Sequence, residues 1–308
     1  MKGNFGAIVK KLREEQNIKI SDLADAIFVD PRHMSRIEKG EQAITVFTLM
    51  EIMQALGQPT EDAWVLLLEA EEFDEYRKYR QLRRSLRDGN YDEANDIVTQ
   101  LESGNLSNKR FLQQFLEYAK IELNNELEPQ QAVEEIYKAL QITKPTFDEC
   151  KVAEYYLNYN EIFLLISLTN YREKLGERDK AIAITKAMIE NRERIRATED
   201  DKAFLYPALM FNLSNYLGRA KRYKEALKYC NQAIEIGREY NNLIYVPNIL
   251  LNMAKCIYCE KEEEIMYRPH LVRAYHCAYA IGERDFAAKI RKDAIEKLGI
   301  SNFDSYIQ

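Results

Sequence analysis

Apolar residues in the first sixty positions recur at helical spacing. FGAIVKKLREEQ carries Phe5, Ile8, Val9 and Leu12 on one face and its charges on the other, which predicts an amphipathic helix. After a turn near Asn17, SDLADAIFV predicts a short second helix with Leu23, Ala24 and Ile27 inward. In DPRHMSRIEKG, Asp30 is a natural N-cap, Pro31 a natural first helical residue and Gly40 a natural terminator, so a third helix lies between them. Met34 and Ile37, three apart, face the core; Arg32, Ser35, Arg36 and Lys39 face away from it, with His33 beside them. TVFTLMEIMQALG predicts a fourth helix capped by Thr45 and ended by Gly57, and TEDAWVLLLEA a fifth.

Beyond Glu69 the stretch EEFDEYRKYRQLRRSLRDG turns from acidic to basic without a breaker and predicts a connecting helix. Its cluster Arg77, Lys78, Arg80, Arg83, Arg84 and Arg87 reads best as a solvated face paired with the preceding acids. The rest of the chain repeats. Apolar signatures at KALQI, KAMIE, QAIEIG and CAYAIG place Ala139, Ala187, Ala233 and Ala278 at spacings of 48, 46 and 45 residues. In GNYDEA, GERDKA and KRYKEA, Ala94, Ala181 and Ala226 let two helices approach closely. Two helices per unit at this period predict a helical solenoid, in which stacked pairs bury a core that no single pair can bury alone.

Composition narrows this further. With 11 Gly and 7 Pro in 308 residues, 46% hydrophobic and 31% charged, the chain is expected to be all-α. No apolar run approaches the ~18 residues that cross a membrane, and the N-terminus lacks a signal-peptide core, so a cytoplasmic protein is expected. Five irregularly placed cysteines form no disulfide framework. The net charge of -6 excludes a general polyanion binder, and any nucleic-acid contact must be local.

The pieces LREEQNI, Leu23-Ala24, SRIEKG and LMEIMQALG together resemble the helix-turn-helix of phage-repressor-like (XRE-type) DNA-binding domains. The resemblance implies a five-helix domain over 1–66; a connecting helix is expected over 67–87 and a right-handed tetratricopeptide-like array over 88–308. It implies that the third helix enters the major groove with Arg32 and Arg36 at base-reading positions, where arginine can bond guanine bidentately. His33 and Lys39 fall at phosphate or edge positions, and Ser35 joins the DNA-binding set. Arg13 and Glu38 match a structural ion pair between the first and third helices. Lys19 and Ile20 depart from the polar start usual for the second helix. Residues 1–60 hold eight Lys or Arg against eight Asp or Glu, so affinity per domain should be modest and a homodimer on two half-sites is expected.

In the repeats, YPALMFNLSNYLG and YVPNILLNMAKC share a Pro-x4-Asn spacing, Pro207 to Asn212 and Pro247 to Asn252. Asn215 and Asn248 share a face with these, and Asn158 is the expected equivalent in the preceding repeat. An amide can both donate to and accept from an extended backbone, so the set suits peptide capture; the competing reading is a core-bridging amide. The segment NYLGRAKRYKEALKYCNQAIEI resembles a tetratricopeptide repeat, and the whole architecture resembles the peptide-pheromone-responsive regulators of Gram-positive bacteria, the Rgg/PlcR type. That resemblance implies a dimeric transcription regulator that binds a short signalling peptide on the inner surface of its repeats, with an asparagine at the place of Asn212 touching the peptide backbone.

Two alternatives stay open. One is a repeat-built interaction adaptor without specific DNA binding. The other is a metal- or redox-sensing repressor using Cys256 and Cys259 of CIYC, with His276 and Cys277 downstream. Two cysteines three apart within a helical pattern more commonly pack as small apolar residues, so no metal and no cofactor are expected. No phosphate loop and no nucleophile-base-acid order appears, and an enzyme is not expected.

Overall fold

The computed structural model describes residues 5–42, 44, 46–57, 70–104 and 109–307. The chain is built from α-helices and divides into two compact units, Met1–Asn105 and Leu106–Gln308. The only strand pairing among the described residues is a two-residue parallel bridge, Leu157–Asn158 with Ile195–Arg196.

The first unit opens with α1 (Phe5–Glu15), α2 (Ile20–Ala26), α3 (Pro31–Glu38) and α4 (Val46–Ala55). Ile8, Val9, Leu12, Leu23, Ala24, Met34, Ile37, Ile52 and Leu56 are each at most 3% exposed and form one core. Each of the larger ones, Ala24 apart, contributes ~1.5–3 kcal/mol when fully buried. A Cβ on Gly6 would lie 2.2 Å from the Ile37 carbonyl, so α1 crosses the end of α3 at backbone contact. The expected cap Thr45 lies outside the described residues, as does almost all of the expected fifth helix. Two further helices, α5 (Ala70–Asp88) and α6 (Tyr91–Glu102), belong to this unit. The sequence reads α5 as a connector. It also packs back on α1, where Lys11 Nζ donates to Asp74 at 2.6 and 2.7 Å and Arg77 pairs with Glu15 at 3.0 Å. In the basic cluster Arg84 and Arg87 both pair with Asp88.

The second unit stacks four helix pairs: α7 (Arg110–Leu123) with α8 (Pro129–Gln141), α9 (Tyr159–Lys174) with α10 (Arg178–Glu190), α11 (Glu199–Arg219) with α12 (Tyr223–Glu239), and α13 (Val246–Cys259) with α14 (Glu264–Ala280). Then α15 (Arg284–Glu296) closes the stack. Ala94, Ala139, Ala181, Ala226, Ala233 and Ala278 are at most 1% exposed, whereas Ala187, expected with them, is half-buried. The first helix of each pair touches the first helix of the next directly, whereas second helices make no comparable approach to one another. In a curved stack the closely spaced side is the inner one, so α7, α9, α11 and α13 form the inner wall.

One helix needed an unforeseen repair. Pro207 lies inside α11 and has no N–H to give the carbonyl four residues earlier. That carbonyl, on Ala203, instead accepts from Asn242 Nδ2 at 3.1 Å.

Candidate functional site

In the first unit, the Asp30 side chain accepts from Arg32 N at 2.7 Å and caps α3, and Gly40 ends the segment with φ +70°. Met34 and Ile37 are fully buried, which fixes the helix's rotation. That rotation leaves Arg32, Arg36 and Lys39 exposed and His33 and Ser35 half-buried. Among the described residues none of the three exposed cations joins an ion pair. Arg13 and Glu38 lie on the protein side instead. Arg13 Nε and NH2 donate to the two Glu38 carboxylate oxygens at 2.7 and 3.0 Å, and its NH1 donates to the Ile18 carbonyl at 2.8 Å. The Glu38 hydrogen bond, the largest influence, outweighs burial and raises the Arg13 pKa. The arrangement therefore holds a short helix by its buried face and presents three exposed cations on the other.

The five asparagines of the repeats separate into two groups. Asn212 and Asn215 on α11 and Asn248 on α13 are half-buried, and among the described residues their side-chain amides make no hydrogen bond to protein. Asn158 and Asn252 depart from the peptide-contact expectation. Asn158 is the N-cap of α9: its Oδ1 accepts from Glu161 N at 3.1 Å, while Glu161 Oε2 accepts from Asn158 N at 2.9 Å. Counting back fourteen residues from Ala226 gives Asn212, and from Ala181 gives Ser167, so Ser167 is the true counterpart on α9. Asn252 bridges helices. Its Nδ2 donates to Ser214 Oγ at 2.8 Å and faces Cys230 Sγ at 3.7 Å, and its Oδ1 accepts from Cys256 Sγ at 3.9 Å. Here the core-bridging reading is the one the geometry fits.

The inner wall also carries features that the sequence reading missed. An aromatic ladder crosses successive first helices: Tyr118 to Phe163 at 5.5 Å between ring centroids, Phe163 to Phe204 at 6.4 Å and Phe204 to Tyr245 at 5.5 Å. Tyr159 and Phe211 extend it, at 4.5 Å from Phe163 and 6.0 Å from Tyr245. All but Tyr118 are half-buried. The recurrence of Phe in EIFLL and KAFLY was the available signal. Beside the ladder, Ser167 Oγ donates to Glu122 Oε1 at 2.5 Å. Glu122 is exposed, and desolvation raises its pKa against the opposing Ser167 hydrogen bond.

The cysteines do not assemble a site. Cys256 points into the core while Cys259, three residues on, is exposed. Burial pushes the Cys230 thiol up to about 11 and the Cys256 thiol up to about 12, which disfavours the thiolate that metal binding and oxidation require. Among the described residues no group of three or more His, Cys, Asp or Glu side chains could hold a metal. No helix among them is long and apolar enough to cross a membrane.

The helix-turn-helix family matches residues 9–62 of the chain. No curated protein matches the sequence. Among solved structures, the chain is similar to Bacillus thuringiensis PlcR in complex with the peptide PapR7 and DNA, at 18% identity and a TM-score of 0.66 over 94% of this chain and 99% of that one. It is similar to ComR from S. thermophilus in complex with DNA and its signalling peptide ComS, at 16% identity and TM-score 0.56 over 94% and 98%. It is similar also to the Streptococcus dysgalactiae SHP pheromone receptor Rgg2, at 14% identity and TM-score 0.53 over 96% and 99%. The exposed basic helix therefore sits in a helix-turn-helix segment, and the chain as a whole has the two-part, all-helical fold of PlcR, ComR and Rgg2.

Proposed function

We propose that the protein is a cytoplasmic, dimeric, sequence-specific transcription regulator whose repeats bind a short peptide. Arg32 and Arg36 read base edges, and His33, Ser35 and Lys39 contact phosphates or groove edges. The peptide lies along α9, α11 and α13, where Asn212, Asn215 and Asn248 bond its backbone. The observation that carries this reading is those three half-buried amides without a protein partner beside an aromatic ladder. None of these amides is sealed from solvent, so each can exchange water for the backbone groups of an extended peptide. PlcR and ComR, which share the fold, were each crystallised with both DNA and a peptide.

The ladder also constrains the ligand. Its rungs are 5.5 to 6.4 Å apart, close to the ~6.6 Å repeat of same-face side chains in an extended chain. An extended peptide with apolar side chains at alternate positions fits it. Peptide binding changes DNA binding only through different affinity for the two states of the dimer.

The test is to select peptides from a random library on the intact chain and measure their binding by calorimetry. Asn212→Ala with Asn215→Ala should weaken binding about tenfold or more, the worth of one or two hydrogen bonds, with thermal unfolding unchanged. Unchanged affinity would remove the groove assignment. The neutral charge of residues 1–60 favours the adaptor reading to the extent that duplex binding proves non-saturable, which a gel shift against genomic fragments decides.

A further inference from the structure

The turn between α2 and α3 holds a residue that neither stability nor solubility favours. Phe28 is 96% exposed and sits at φ +55°. It closes α2 in a two-bond terminator, with Phe28 N donating to the Asp25 carbonyl at 3.2 Å and Val29 N to the Ala24 carbonyl at 3.0 Å. That position requires a left-handed backbone, which suits glycine or asparagine and is an outlier for a bulky side chain. Among the described residues the other positive-φ positions hold glycine, asparagine or lysine; Phe28 is the only aromatic. Val29 turns into the core of the first unit, but the Phe28 ring packs on nothing in it.

We propose that the Phe28 ring is a DNA contact, packing on the sugar-phosphate wall of the groove that α3 enters. The inference rests on the reading of α3 as the DNA-facing helix. Chain geometry supplies the place: Pro31 follows Phe28 by three positions, so the Phe28 Cα is within about 11 Å of the start of α3. The major groove is only about 12 Å wide. An exposed ring that close to a seated recognition helix meets the groove wall. Charge complementarity supplies the partner, because the exposed charged residues of α3 and its C-cap are the cations Arg32, Arg36 and Lys39. An apolar contact to deoxyribose or a thymine methyl would also offset the weak electrostatic grip of a domain with equal numbers of acidic and basic residues.

The experiment uses the full chain and a duplex that the wild-type protein selects from a randomised pool at low ionic strength. Phe28→Gly relieves the backbone, so its thermal midpoint should be at or above that of the wild type while its dissociation constant for the duplex rises about tenfold. Phe28→Leu, which keeps the apolar bulk, should lose less affinity than Phe28→Gly. Unchanged duplex affinity in Phe28→Gly overturns the proposal. So does loss of affinity that accompanies loss of the dimer by analytical ultracentrifugation, since the ring would then belong to a contact between copies. If the wild type selects no duplex, the reading of α3 fails and this proposal with it; if Arg36→Ala weakens binding and Phe28→Gly does not, only the proposal for Phe28 fails.

Discussion

Removing Arg13 should destabilise the first unit's framework without touching its outward face. The guanidinium makes two hydrogen bonds to Glu38 and one to the Ile18 carbonyl, at 2.7, 3.0 and 2.8 Å. The Arg13 side chain is 11% and that of Glu38 5% exposed, so solvent cannot replace either partner. Arg13→Ala leaves a buried carboxylate alone, and breaking a buried pair from one side costs about 3–5 kcal/mol. A domain of this size has a total of only about 5–15 kcal/mol. Amide hydrogen exchange of the full chain, read on peptides covering α1 and α3, should therefore show protection falling by two to three powers of ten, at about 1.4 kcal/mol each. Replacing both partners, Arg13→Met with Glu38→Leu, removes the desolvation cost with the attraction and should restore most of the protection. The double variant should also bind the selected duplex as the wild type does, because neither group faces outward. A cost below about 1 kcal/mol for Arg13→Ala, the range of an exposed pair, would refute the reasoning. So would a protected double variant that no longer binds DNA.

Asn242→Ala should destabilise the repeats by about 1–3 kcal/mol, because it strands the Ala203 carbonyl beside Pro207; adding Pro207→Ala, which returns an N–H to that carbonyl, should recover part of the loss in urea titrations. In the native protein Cys150 and Cys259 should react with a maleimide, while Cys230 and Cys256 stay unmodified until denaturant is added. Burial holds those two thiols up near 11 and 12, so raising the pH from 7 to 9 leaves them protonated and should not unmask them. Modification of Cys256 in the folded chain at pH 7 would revive the redox reading. Library-selected peptides should carry apolar residues at alternate positions, and a variant with that pattern shifted by one residue should bind at least tenfold more weakly; tolerance of the shift would show that the ladder does not set the register.

The parts of this protein that were legible in its sequence are those in which one segment specifies its own structure. Asp30, Pro31 and Gly40 delimit α3 locally, and Met34 and Ile37 fix its rotation, so the exposure of Arg32, Arg36 and Lys39 follows without knowledge of any other helix, while Ser35, expected with them, is half-buried. The alanine spacing likewise reports a pair geometry repeated within each unit, and it foretold the stack. The inner wall is different because each amide's role is decided by what the neighbouring helix offers. Asn212 and Asn252 occupy matching places, five residues after Pro207 and Pro247. One meets no hydrogen-bond partner among the described residues and the other meets Ser214, Cys230 and Cys256. Periodicity gives the face of a helix and cannot give the chemistry across from it. Asn158 is a separate case, since Asn-x-x-Glu before an apolar run is a capping-box signature, and Glu161 was there to be weighed against the peptide reading. The aromatic ladder is hard to read from sequence because a half-buried phenylalanine on an apolar stripe looks like core in one dimension. It becomes a surface only when rungs from four helices are set side by side. A groove in a repeat protein is thus a property of the stacking, and residues such as Asn212 and Phe204 come to share one wall through neighbours some forty residues away.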